Sequence, residues 1–294
     1  MSVLTCAKID CHNHVIDPSR FPYANDSSYR PSGQEVATAA HLLRVMDIFN
    51  VRHALVVGTN SGYGADSRCL LDAIATGNGR FKGVAVVENT VSFAELKRLK
   101  SRGIIGIAFN PTFHSADYYL GTADLLKKLV DLDLLLQLQV EGDQLLALLP
   151  LIQGSTVRLL IDHCGRPTAE AGLGQPGFQA LLALGRAGRA VVKLSGWYKF
   201  SRKPYPHADA WPYIGALVEA FTLDACVWGS DWPFLRASER LDYGPLLTLV
   251  EMLFPDQADR QKLSLPLRMR RCVWQCFLPP SPGPSRTPIS QCAS

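Results

Sequence analysis

The chain has 294 residues, 47 % hydrophobic and 19 % charged, long enough to bury a full core as one domain. No apolar run approaches the length of a membrane span, the longest being Leu145 to Ile152 with Pro150 inside it. The formal charge of +4 comes from Arg268, Arg270, Arg271 and Arg286 near the C-terminus; Met1 to Leu263 balances 26 basic against 26 acidic residues, giving no electrostatic reason to expect nucleic acid or membrane binding.

The N-terminus lacks the basic and apolar blocks of a signal peptide, so a cytoplasmic protein is expected. The eight cysteines form no C-x-x-C pair, which argues against a disulfide framework or a structural zinc site.

In chain order, short β-rich apolar runs alternate with helical patterns. The strands expected are Lys8–His12, His53–Val57, Phe81–Val87, Gly106–Phe109, Leu134–Val140, Val157–Ile161, Ala190–Leu194 and Cys226–Trp228. Ser32 with Glu35, and Ser92 with Glu95, have capping-box spacing. Gly77, Gly103, Gly154 and Gly188 stand where helix C-caps belong. Leu42, Leu43, Met46 and Phe49 form one apolar stripe on the first helix. Eight strands alternating with helices suit a closed (β/α)8 barrel or an open doubly wound sheet. The open sheet usually places a glycine-rich phosphate loop after its first strand; here that place holds His12-Asn13-His14, and the glycines of Gly58 to Gly64 lack the dinucleotide spacing. The barrel is the better fit. It should span residues 1–263, with a Pro/Arg-rich, poorly ordered tail over 264–294, where Leu278 to Ser294 holds five prolines.

In a barrel, active-site residues gather just past the strand C-termini. Strand alternation puts Asp10, His12 and His14 on one face of the first strand, with Ile9 and Cys11 on the other. His163 ends the sixth strand in Ile161-Asp162-His163-Cys164-Gly165-Arg166-Pro167. Asp231 follows the eighth in Trp228-Gly229-Ser230-Asp231-Trp232-Pro233. Taken singly, such a histidine is more often a core residue and such an aspartate a turn former. Together, three imidazoles and a carboxylate at one barrel mouth can activate water, with or without a metal.

Asp-x-His-x-His, Ile-Asp-His-x-Gly-Arg-Pro and Trp-Gly-Ser-Asp-Trp-Pro resemble the amidohydrolase superfamily, in the branch of 2-pyrone-4,6-dicarboxylate lactonase and sugar lactonases. The likeness runs from about Lys8 to Lys262. It implies a (β/α)8 barrel that hydrolyses a lactone or similar ester of a small acid. Asp231 would be the general base, with His12, His14 and His163 holding the water or the carbonyl. Those dicarboxylate lactonases carry an arginine after strand four, whereas this chain reads Gly106-Ile107-Ala108-Phe109-Asn110-Pro111, so the dicarboxylate substrate itself is not implied.

Substrate contacts are expected from Arg166, from Tyr198, Lys199 and Arg202 in the loop after strand seven, and from Tyr23, Thr59, Ser61 and Gln139 near strand ends. His114 could line the pocket; His41, His53 and His207 receive no role. No metal is favoured, because a lactone is an activated ester. If one zinc or manganese ion binds, His12, His14, His163 and Asp231 are its ligands. Strand five offers Gln137, Gln139 and Glu141 rather than the modified lysine that bridges two metals. The alternatives are a mononuclear metal-dependent amidohydrolase or decarboxylase, and a catalytically silent barrel that binds a small acid.

Overall fold

The structure, a computed structural model, describes residues 2–25 and 27–264; the expected tail over 264–294 lies essentially outside them. Eight strands form one sheet in sequential order, each parallel to the next. They are β1 (Lys8–Asn13), β2 (Val51–Val57), β3 (Phe81–Ala85), β4 (Ile104–Phe109), β5 (Leu135–Leu138), β6 (Leu159–Ile161), β7 (Ala190–Leu194) and β8 (Cys226–Trp228). The helices between them are α1 (Ala39–Ile48), α2 (Arg68–Thr76), α3 (Phe93–Ser101), the short α4 (Pro111–His114), α5 (Ala123–Asp131), α6 (Gln144–Gln153), α7 (Pro176–Arg186) and α8 (Trp211–Phe221). After β8 come α9 (Tyr243–Leu253) and α10 (Gln257–Ser264). The barrel closes where Asn13 bridges Trp232 in parallel. There His14 N–H donates to the Trp232 carbonyl and Asp231 N–H to the His12 carbonyl, both at 2.8 Å. This is the expected (β/α)8 barrel. No helix among the described residues is long and apolar enough to cross a membrane.

All eight expected strands are present; β2 and β4 begin two residues earlier than expected, while β3, β5 and β6 are shorter. Alternation sorts their side chains into two layers. Leu55 of β2, Leu160 of β6 and Val227 of β8 meet Ile9, Val84, Ile105 and Leu135 in the barrel interior. Residues one position away, such as Val56 and Ile161, face the helices and join Leu42, Met46 and Leu96. Burying each such side chain contributes about 1.5–3 kcal/mol before the cost of ordering the chain.

Helix ends follow local chemistry. Ser92 Oγ accepts the Glu95 N–H at 3.1 Å, as expected. The Ser32–Glu35 box does not form. Residues Gly33–Glu35 make a short 3-10 turn without a side-chain cap, and Glu35 instead accepts from Tyr29 and from the Arg236 N–H. The cap of α1 is Thr38, whose Oγ1 accepts the His41 N–H at 3.2 Å. On α1, Leu42 and Met46 are buried, while Leu43 and Phe49 are half-buried at its edge.

Simple alternation fails in β1. Asp10 and Asn13 oppose Ala54 and Val56, so three residue steps of β1 match two of β2. This one-residue bulge separates Asp10 from the histidines. Ile9 and Cys11 stay in the inner layer and His12 also turns inward, whereas Asp10 accepts from Ser230 N–H at 2.9 Å, Ser230 Oγ at 2.6 Å and Tyr243 Oη at 3.0 Å. Asp10 therefore ties β1 to the β8 loop and α9, away from the mouth.

Candidate active site

The four residues expected to work together converge. Asp231 Oδ1 lies 3.6 Å from His12 Nε2, 3.5 Å from His14 Nε2 and 3.8 Å from His163 Nε2. All four are buried at the C-terminal mouth of the barrel. Asp231 has φ 61° and His163 φ 49°, a left-handed backbone that non-glycine residues seldom adopt and that clusters at functional sites. Close packing places the rings as well. A Cβ on Gly229 would lie 2.7 Å from His12 Cβ and 2.8 Å from its backbone nitrogen; a Cβ on Gly196 would lie 2.5 Å from His163 Nδ1.

Asp231 has two distinct oxygens. Oδ1 faces the imidazoles, while Oδ2 accepts from Tyr198 Oη at 2.7 Å and pairs with Lys199 Nζ at 3.0 Å. Burial alone would raise its pKa, but Lys199 and the surrounding histidines outweigh that and hold the carboxyl well below the usual carboxylate range. The group is an ionised acceptor at neutral pH. Burial and the neighbouring carboxylate push Tyr198 well up, so it remains a donor. Burial pushes His163 well down and His12 down to about 4, so both rings are neutral. His14 Nδ1 sits 2.8 Å from the Val57 carbonyl, which can only accept; the proton is therefore on Nδ1, and a neutral His14 presents a bare Nε2. His163 Nδ1 meets Ser195 Oγ at 3.0 Å.

Beneath the mouth lies a charged layer absent from the expected site. Lys193 Nζ contacts Asp162 Oδ1 at 2.9 Å, Gln137 Oε1 at 2.7 Å and His12 Nδ1 at 3.0 Å. Gln137 Nε2 donates to Asp162 Oδ2 at 2.8 Å. Each stands two residues beyond an inward apolar residue: Gln137 after Leu135, Asp162 after Leu160, Lys193 after Val191. Burial would raise Asp162, but Lys193 and His12 outweigh it and lower it. The available signal was a lysine inside the apolar run Ala190-Val191-Val192-Lys193-Leu194.

Above the four residues opens a cavity of about 500 Å³. Arg166, Tyr198, Lys199, Arg202, Thr59, Ser61 and Gln139 all line it. Tyr198 and Lys199 are engaged with Asp231, as above. Arg166 Nη2 pairs with Glu141 at 2.9 Å, while its buried Nε–H has no partner among the described residues. Arg202 pairs with Glu170 at the exposed rim, and Thr59 donates to the Ser61 carbonyl at 2.6 Å. Tyr23 is not brought to the cavity, because its hydroxyl donates to the Pro31 carbonyl and its ring packs on Tyr63. His114 also stays outside it, stacked on Tyr118. Asn60, Asn110 and Thr112, none of them expected, join Gln139 in a neutral hydrogen-bonded wall.

The ligand atoms of His12, His14 and Asp231 lie within 4.8 Å of one another, as do those of His12, Asp162 and His163, so the mouth holds residue groups of a kind that bind metals. His14 and Asp231 fit a metal, each offering a free lone pair. His12 fits less well as placed, since its Nδ1 lies nearer the Lys193 ammonium, at 3.0 Å, than the Asp162 oxygen at 3.4 Å that would accept its proton and free Nε2.

The family model described as Amidohydrolase matches residues 9–264. A 4-sulfomuconolactone hydrolase of Rhizobium radiobacter is 31 % identical over 264 residues, covering 86 % of each chain. A 2-pyrone-4,6-dicarboxylate hydrolase of Comamonas testosteroni is 26 % identical over 91 % of this chain and 90 % of its own. A solved structure of a probable 2-pyrone-4,6-dicarboxylic acid hydrolase from Acinetobacter baumannii, with citric acid bound, superposes with TM-score 0.79 at 25 % identity, covering 92 % of this chain and 99 % of that one.

Proposed function

We propose, for a chain that belongs to the amidohydrolase family, the hydrolysis of a lactone or similar ester of a small acid by water that Asp231 activates. The observation that carries this reading is the division of labour on Asp231. One oxygen is held by Tyr198 and Lys199, leaving the other free among three imidazoles at 3.5–3.8 Å.

Water bound against Oδ1 gives up its proton to Asp231 as its oxygen attacks the ring carbonyl. Nε2–H groups of His12 and His163 donate to the carbonyl oxygen and stabilise the oxyanion as it forms, while the bare Nε2 of His14 can accept from the water. When the C–O ring bond breaks, the proton held by Asp231 passes to the departing oxygen. This leaves a hydroxy acid, or its keto form where the leaving oxygen is an enolate. Arg166, whose Nε–H has no partner among the described residues, lines the cavity wall with Lys199, Arg202 and Arg236, and these cations suit a substrate bearing an acidic group. Ala108, near the end of β4, lines the wall, consistent with a substrate other than a dicarboxylate.

A second reading, a mononuclear metal-dependent amidohydrolase or decarboxylase, draws on the placement of His14 and Asp231 as ligands, with zinc or manganese as the ion. The orientation of His12 is against it, and no step above uses a metal. The test of the proposal is turnover of a panel of acidic lactones by purified protein, with Asp231→Asn as control. Panel hydrolysis that survives in the variant assigns the chemistry elsewhere.

A further inference from the structure

We propose that Lys193 is a positioning residue that fixes His12 as a hydrogen-bond donor through Nε2. The inference rests on the reading of His12 as a donor to the substrate carbonyl, and it supplies the reason His12 can donate.

Lys193 is completely buried near the C-terminal end of β7. An ammonium has three N–H donors and no acceptor, and here it meets three groups: Asp162 Oδ1, Gln137 Oε1 and His12 Nδ1, at 2.9, 2.7 and 3.0 Å. The first two are oxygens that only accept. At hydrogen-bond distance an ammonium can only donate to Nδ1, which must then offer its lone pair. A neutral imidazole carries one proton, so in His12 that proton lies on Nε2, the nitrogen facing Asp231 and His14.

One contact competes. Asp162 Oδ1 is 3.4 Å from His12 Nδ1 and could accept a proton there. The same oxygen stands closer to Lys193, at 2.9 Å as an ion pair, and makes no hydrogen bond among the described residues, whereas Lys193 Nζ meets His12 Nδ1 at 3.0 Å with hydrogen-bond geometry. A second contact points the same way. His12 Nε2 and His14 Nε2 are 3.3 Å apart, and Val57 draws the proton of a neutral His14 onto Nδ1. Two lone pairs would repel at that separation; a proton on His12 Nε2 makes the contact a hydrogen bond. The buried Lys193–Asp162–Gln137 layer thus turns His12 from a nitrogen ligand into a donor. The reaction reading uses that property, and a metal site would not.

The proton can be located directly. In protein labelled with 15N-histidine, a long-range 1H–15N correlation spectrum separates the two tautomers, and His12 is assigned by the signals lost in His12→Gln. The wild type should show His12 protonated on Nε2. In Lys193→Met, which keeps the length but removes the donors, the proton should move to Nδ1 and bond Asp162. The kcat should then fall roughly 10²-fold, the usual effect of one lost oxyanion donor, with KM changing less than about threefold. A wild-type His12 protonated on Nδ1, or an unchanged tautomer in folded Lys193→Met, overturns the proposal. If Lys193→Met does not fold, the wild-type spectrum still decides. The spectrum needs no substrate, so a correct tautomer in a protein that opens no lactone would sink the reaction reading and leave the role of Lys193 standing.

Discussion

Tyr198 donates its phenolic O–H to Asp231 Oδ2 at 2.7 Å, so the tyrosine expected to touch substrate instead holds the carboxylate. A hydrogen bond to a charged, buried group is worth about 1.5–3 kcal/mol, enough to set which carboxylate oxygen faces the histidines. Tyr198→Phe should therefore lower kcat by about tenfold with KM nearly unchanged. Steady-state kinetics checks this; a variant whose KM alone rises would return Tyr198 to the substrate.

The pH profile follows from the same contacts. Lys199 and the histidines depress Asp231, so its base form persists below the ordinary carboxylate range of about 3.9. The kcat should stay flat from neutral pH down to about pH 5, with loss as the pH approaches and passes the His12 value of about 4. Stability follows the same sign. Asp162 and Asp231 both have depressed folded pKa values, so their contribution is fully present above the unfolded carboxylate value and is lost only as pH falls through the lower folded ones. A rate that halves between about pH 6 and 5 would mean that Asp231 titrates above the ordinary carboxylate range and would contradict the account.

Gly229 tests how tightly the β1–β8 seam sets the site. A methyl group there would meet His12 backbone and Cβ atoms at 2.7–2.8 Å, closer than real contacts allow. Gly229→Ala should destabilise the fold by about 1–3 kcal/mol and lower kcat at least tenfold by shifting His12. Thermal unfolding and turnover measured together check this; an unaltered variant would show that His12 is not held by that seam.

The strands and the four mouth residues are legible because each polar residue sits just past an apolar run, where burying it without a partner would be costly. Gln137, Asp162 and Lys193 are legible by the same alternation, as polar residues two steps beyond Leu135, Leu160 and Val191. The β1 bulge is not legible. It depends on where β2 lies beside β1, and so the pattern that grouped Asp10 with His12 and His14 misassigned Asp10. Tyr23 and His114 fail for a related reason. Nearness to a strand end in sequence does not fix the direction of a long loop, and Pro31 and Tyr118 claim them instead.

Arg166 is the cation best placed to meet a substrate anion, because its buried Nε–H has no partner among the described residues while Nη2 is held by Glu141. Arg166→Met should raise KM for an acidic lactone about tenfold or more and leave kcat within about threefold. Equal loss on an uncharged ester would show that the residue supports the loop rather than the anion.

Metal removal should not abolish activity. Protein purified without added metal, chelated and dialysed, should keep its turnover, since no step needs a third ligand from His12. Stoichiometric zinc or manganese, with activity lost on removal and restored on return, would instead make His12, His14, His163 and Asp231 ligands.

The central claim is that Asp231 is the base, and Asp231→Asn tests it most directly. Asparagine keeps the size and can still meet Tyr198, yet cannot take a proton from water. Turnover of the best lactone in the panel should fall by about 10² to 10⁴, the usual share of general-base catalysis, while thermal unfolding shows a folded protein. A folded Asp231→Asn variant that keeps more than about half of its activity would contradict the account.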